Sequence, residues 1–285
     1  MSIREQIILF IKEHPSCSSK EIHEHLKADI GYSTVKRMLS KLTLESLVIS
    51  EGKLKGTKYF LSPSCELLYP IDVEAYFKEE VDERQIRDGF NLTLIPDVLN
   101  KVTLFTDAET QHLEMLHQEY QNNISHLSPA AYGKELERLA IDLSWKSSQI
   151  EGNTYSLLET ERLLKEKETA AGKPKDDATM LLNHKEAINF IIQNPDYILP
   201  LSIRGIEDIH SLLIKDLGLD RNIRQRRVGI SGTNYKPLDN EHQIREALDD
   251  MCNLINMKES VFEKALLALV LLSYIQAFGD GNKRT

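Results

Sequence analysis

The chain has 285 residues, 41% of them hydrophobic and 28% charged, with a formal net charge of −9. That balance excludes a disordered or fibrous chain, and no apolar run approaches the roughly 18 residues of a membrane-spanning helix. Three scattered cysteines, Cys17, Cys65 and Cys252, exclude a disulfide framework and a closed zinc site, and the N-terminus has no signal-peptide pattern, so the expected location is cytoplasmic.

The length accommodates about two domains. Residues 1–65 hold ten Lys/Arg against seven Asp/Glu, a net +3, which leaves −12 for the rest. A mildly basic head on an acidic body implies two modules with different partners. In the head, Ile3, Ile7, Ile8, Phe10 and Ile11 recur at helical spacing, and the run stops at Pro15, which disfavours helix in the residue before it. Ser18-x-x-Glu21 is a capping box and predicts a short second helix to about Lys27, with Ile22 and Leu26 inward. A third helix is predicted with Ser33 as N-cap and Val35, Met38, Leu39 and Leu42 toward the core. The period then changes to two, and Leu47–Ser50 and Thr57–Leu61 around a Gly-bounded turn read as a hairpin.

Three helices followed by a two-stranded wing resemble a winged helix-turn-helix over residues 1–65. The resemblance implies DNA contacts from Ser33, Thr34, Lys36, Arg37 and Lys41 on the third helix and from Lys53 and Lys55 on the wing. Such modules also pack on protein partners, and a face of Lys and Arg is equally an ordinary solvated surface. Residues 66–130 read as a linker, with strand character over Cys65–Arg84, an acidic run at Glu79–Glu83, and bracing helices over 98–104 and 107–120.

In residues 131–285, Leu136, Leu139, Ala140, Leu143 and Trp145 predict an amphipathic helix running into Ser147-x-x-x-Glu151-Gly152. Gly152 suits the position just past a helix end. Glu151 beside it opposes the helix dipole, and so calls for a cationic partner. Further helices are predicted over 154–165, 180–193, 203–217, 241–256 and 259–275, with His210 among apolar neighbours as a satisfied core histidine. Between Ile223 and Leu238 the helical period disappears. There Arg227-Val228-Gly229-Ile230 and Thr233-Asn234-Tyr235-Lys236 around Ser231-Gly232 read as a small hairpin, with three arginines, Arg224, Arg226 and Arg227, nearby.

The last helix delivers Gln276-Ala277-Phe278-Gly279-Asp280-Gly281-Asn282-Lys283-Arg284-Thr285. Glycines that let backbone N–H groups approach an anion, an amide, two cations and an acid able to hold a divalent ion suit a nucleotide phosphate. The same turn is also an ordinary end to a helix. This stretch resembles the active-site motif of the Fic family: His, Pro or Ala, Phe, a free position, Asp or Glu, Gly, Asn, Gly or Lys, Arg, two free positions, Arg. Every specified position from Ala277 to Arg284 matches. Gln276 stands where the family has His, and the trailing Arg would fall beyond Thr285, together with a helix that completes the phosphate site.

The resemblance implies a mainly α fold, a Fic-type helical bundle with a small β-hairpin flap. It implies AMP transfer from ATP to a Ser, Thr or Tyr hydroxyl of a protein, with Mg2+ held by Asp280. Phe278, Gly279, Gly281, Asn282, Lys283 and Arg284 would bind the nucleotide, with Phe278 anchoring the loop. Ser147, Glu151 and Gly152 resemble the family's inhibitory motif, in which the Glu pairs with the second Arg. Val228, Gly229, Ile230, Thr233 and Tyr235 would lie on the flap that docks a target by strand addition. Gln276 cannot accept a proton at pH 7, so transfer is expected to be weak or absent. The alternative is a DNA-binding regulator whose second module senses nucleotide or scaffolds. No membrane partner is expected, and an oligomer is compatible with the sequence.

Overall fold

A computed structural model describes residues 2–26, 30–69, 71–84, 89–230 and 232–285. Two compact units divide the chain: Met1–Glu79 with Pro96–Thr110, and Glu80–Ile95 with Gln111–Thr285. The stretch 66–130, expected to link and brace, is therefore shared between them.

In the first unit, α1 (Ile3–Glu13), α2 (Ser19–His25) and α3 (Tyr32–Leu44) precede an antiparallel pair, β1 (Val48–Glu51) and β2 (Lys58–Leu61). Ser2 and Ser18 each form capping boxes, with Glu5 and Glu21 closing them. The core is built from Ile7, Ile11, Ile22, Val35, Leu39 and Val48, and a bridge from Cys17 to Tyr59 adds a third backbone segment to the sheet edge. Ser33 is not the N-cap of α3. The cap is Gly31, without a side-chain bond, and Ser33 is the second residue of the helix and exposed. Lys27, where α2 was expected to end, lies outside the described residues. The region read as linker with strand forms two short helices, α4 (Pro63–Leu68) and α5 (Val73–Lys78), started by Ser62 and Asp72 caps.

The helix α6 (Asp107–Ser125) buries none of its residues. In the second unit, α7 (Pro129–Ile150), α8 (Leu157–Glu166), α9 (Lys175–Gln193), the short α10 (Pro195–Ile198) and α11 (Ile203–Leu213) are followed by α12 (Glu241–Met257) and α13 (Val261–Ile275). Helix α9 packs on α7, α8 and α11, and α12 packs on α11 and α13. The predicted apolar stripe of α7 is displaced. Leu139 and Leu143 are about half exposed, and the buried positions are Ala140, Ile141, Ser144 and Ser148. Small residues let α9 approach closely enough for His184 to meet the Ser144 hydroxyl at 3.2 Å. The second unit is thus mainly α. No helix among the described residues is long and apolar enough to cross a membrane.

Candidate active site

Helix α13 ends at Gln276, whose backbone is left-handed at φ 53° and whose Nε2 donates to the Ser273 carbonyl at 2.6 Å. The chain leaving it is held by a residue from the irregular stretch before α12. Arg224 donates through Nε to the Gln276 carbonyl at 2.6 Å, through its backbone N–H to Ala277 at 3.0 Å, and through its terminal nitrogens to the Arg226 and Leu238 carbonyls. Of the three arginines near the predicted hairpin, Arg224 is therefore buried and committed to the backbone, while Arg226 and Arg227 are exposed and Arg227 pairs with Asp239. Replacing Arg224 by Ala would strand three carbonyls. The expected loss is about 3 kcal/mol, read as a fall in the urea midpoint.

Phe278 is fully buried and stacks on the His210 ring, with centroids 3.7 Å apart and planes 7° off parallel. The turn that follows closes on itself. Asn282 accepts the Phe278 N–H at 2.8 Å and returns its amide to the Phe278 carbonyl at 2.7 Å, so its side chain shapes the turn. Gly281 has φ 75°, and a Cβ there would lie 3.3 Å from the His210 ring, so both strain and space demand glycine. Among the described residues, the backbone N–H groups of Gly279, Asp280, Asn282 and Lys283 meet no acceptor, which leaves a small nest of donors.

Arg284 sits beneath this nest and is only 7% exposed. Its Nη2 lies 3.7 Å from the half-exposed carboxylate of Asp280, while Nε and Nη1 have no partner. A buried guanidinium with two idle donors is costly and calls for an anion. Two histidines face the same charge. Burial, and then the Arg284 cation, push His184 and His210 down to about 4, so both rings are neutral at pH 7. His210 is half satisfied, its Nδ1 within 3.1 Å of the Thr285 hydroxyl and its Nε2 without a partner. It belongs to the turn, not to a remote core, and only its buried neighbourhood was legible in the sequence. His184 carried no sequence signal at all.

A cavity of about 330 Å³ opens beside Arg284. Ser147, His184, Asn282, Lys283 and Thr285 contribute its polar wall, and Leu143, Ile188, Ile191, Leu269 and Leu272 its apolar one. Ser147 is thus brought to the motif. Gly152 takes the expected left-handed position past α7 at φ 86°, and Glu151 caps the helix without an ion pair among the described residues. Asp280 is a single carboxylate, and no cluster of three metal-ligating side chains exists among the described residues.

Of the flap residues, Val228, Ile230, Thr233 and Tyr235 are half-buried and Gly229 is exposed. The turn is present, closed by Thr233 N–H to the Ile230 carbonyl with Gly232 at φ 78°, but its two arms form no ladder among the described residues. Ser231 lies outside them.

In the first unit, Ser33, Lys36, Arg37, Lys41 and Lys53 are exposed and Thr34 is half-buried. Lys36 lies over the Tyr32 ring, Lys41 pairs with Glu45 at 3.8 Å, and the side chain of Lys55 is outside the described atoms.

Residues 200–285 match the model of the Fic/DOC family. Among solved structures, a Fic domain containing signaling protein from Bacteroides thetaiotaomicron is 20% identical, with 60% of this chain and 67% of that one covered and a TM-score of 0.51. Fic-1 (residues 134–508) from C. elegans is 23% identical, with a TM-score of 0.48, and covers 59% of this chain. The present chain spans 51% of that Fic-1 structure. No curated protein sequence matches. At these identities the structural likeness is one of fold. The family model thus matches the last 86 residues, and the structural likeness adds the fold.

Proposed function

We propose that the second unit is a nucleotide-binding Fic domain of the AMP-transfer type, acting from ATP on a protein hydroxyl, and weakened by Gln276. The observation that carries this reading is Arg284, a buried cation with two unpartnered nitrogens under a nest of open backbone N–H groups. ATP with Mg2+ fits that donor set. Arg284 and the N–H groups of Asn282 and Lys283 would hold phosphate oxygens, and Asp280 would hold the cation, which neutralises charge on the phosphates when bound. Phe278, Asn282 and Arg224 keep the turn in shape. No group at the helix end takes the proton of a target hydroxyl, because the Gln276 amide is bonded to Ser273 and is no base.

The reading predicts effects of opposite sign at one residue. Arg284→Met should stabilise the chain by about 1–3 kcal/mol, since it removes an unsatisfied buried charge. It should also abolish binding of ATP with Mg2+, followed by calorimetric titration. A variant that loses stability and still binds ATP as tightly would overturn the assignment.

A second reading rests on the first unit. Its three helices and two strands resemble a winged helix-turn-helix, and α3 turns Lys36, Arg37 and Lys41 to solvent. DNA binding would appear as a mobility shift that weakens steeply with salt and is lost on Lys36→Ala with Arg37→Ala.

A further inference from the structure

Helix α9 carries two cavities on opposite faces. His184, Ala187, Ile188 and Ile191 line the one beside the motif. Lys175, Thr179, Leu182, Glu186, Asn189 and Gln193, which recur every three or four residues, line the other. This second cavity has a volume of about 860 Å³ and is a groove along the helix, about 27 Å from Lys175 to Gln193. Lys167, the left-handed residue that caps α8, and Lys215 and Asp216, just past α11, form its other walls.

The lining is asymmetric. Four lysines, Lys167, Lys175, Lys185 and Lys215, meet only two acids, Glu186 and Asp216, in a chain whose net charge is −9. Lys185 binds Glu137 at 3.1 Å and the Leu164 carbonyl at 3.3 Å, and Lys215 lies 3.8 Å from Glu186. The ammonium groups of Lys167 and Lys175 meet no acceptor among the described residues. Beyond Glu186 the lining changes to amides, Asn189, Gln193 and Asn194, beside the half-buried Phe190 ring. The side chains of Asn189 and Gln193 make no hydrogen bond among the described residues. Between the two halves, Asn183 is only 5% exposed. Its amide nitrogen donates to the Leu213 and Lys215 carbonyls at 3.3 and 2.6 Å, while its Oδ1 meets no donor among the described residues. A buried acceptor left open is costly, and a donor arriving in the groove would satisfy it.

We propose that this groove docks a short acidic segment of a partner protein, laid along α9 with its carboxylates toward Lys167 and Lys175 and its backbone on the amides. The length suits about eight extended residues. Each amide offers a donor and an acceptor together, as a peptide backbone does, and the Asn183 Oδ1 takes a backbone N–H. The two acids decide against a nucleic acid strand. A phosphate at every nucleotide would meet Glu186 and Asp216, whereas a peptide sets neutral residues there. Phe190, already edge-on to Tyr197 at 5.4 Å, is also the one aromatic ring in a lining where a strand stacks successive bases. The groove shares no lining residue with the cavity beside the motif, so the inference stands apart from nucleotide transfer.

The test is fluorescence anisotropy of two labelled octapeptides, added to the full chain without nucleotide. One has four glutamates followed by Gly-Phe-Gly-Gly, and the other has the same residues in reverse order. At least one order should bind, and Lys167→Glu with Lys175→Glu should weaken it by about tenfold or more. Both lysines are exposed and neither change removes a side-chain contact among the described residues. Lys78→Glu with Lys101→Glu, exposed positions of the first unit, makes the same change in net charge and should keep binding within about twofold. Asn189→Ala with Gln193→Ala keeps every lysine and should weaken binding by about threefold or more. Binding of neither peptide, equal loss in the two charge variants, or no loss in the amide variant overturns the proposal. An octathymidylate that binds as tightly as the peptide overturns it as well.

Discussion

Gln276→His is expected to raise AMP transfer by about 10² to 10⁴-fold, the usual contribution of a positioned general base. The position can take the change. Its backbone is left-handed at φ 53°, a region that His enters more readily than branched side chains do. Its main interactions with Arg224 run through the carbonyls of residues 276 and 277, which any side chain leaves in place. Only the bond from the Gln276 amide to Ser273 is lost. A neutral imidazole can take a proton where an amide cannot. Transfer of label from α-phosphate-labelled ATP to protein, compared at equal nucleotide occupancy, measures the gain. No gain in a variant that binds ATP as the parent does would mean that the helix end does not face the reacting hydroxyl.

The second large effect is on stability. At neutral pH His184 and His210 are uncharged in both folded and unfolded chains. Below the unfolded value of about 6.5 the unfolded chain takes up protons that the folded chain refuses until about pH 4. Stability therefore falls across pH 6.5 to 4. At pH 4.5 the loss is about 2.5 kcal/mol for each ring, and about 5 kcal/mol for both. Urea unfolding at pH 7 and pH 4.5 should show this difference. His210→Phe, which keeps a ring against Phe278, should remove about half of it. The capping carboxylates Glu21 and Glu159 are held below the ordinary range by bonds from Ser18 and Ser156, and they add a loss in the same direction at lower pH. The window above pH 4.5 thus belongs chiefly to the two histidines. A flat profile there would show that the rings are solvated in the folded chain.

What could be read from the sequence alone is what acts over a few residues. The capping box at Ser18, the periodicity of α1 and α13, the stop at Gly152 and the order of groups from Phe278 to Arg284 are local, because a helix turn and a cap involve neighbours within about four positions. The basic face of α3 was legible for the same reason, although its cap was misplaced by two residues from Gly31 to Ser33.

Tertiary structure decided which of those groups are free. Asn282 looked like a phosphate donor and its side chain closes the turn on Phe278; Arg224 stood out in no way from Arg226 and Arg227 and is the clasp that holds the helix end. Leu139 and Leu143 looked like core and face outward, because α7 meets α9 through Ala140 and Ser144. His184 and His210, separated by 26 positions from one another, converge on Arg284, and Gly89 bridges to Lys236 from a segment with no periodic signal at all. Burial and distant partnership depend on how elements pack, and spacing along the chain does not encode them. The motif therefore named the residues of the site. Only the fold showed that Arg284 is buried with its Nε and Nη1 unpartnered.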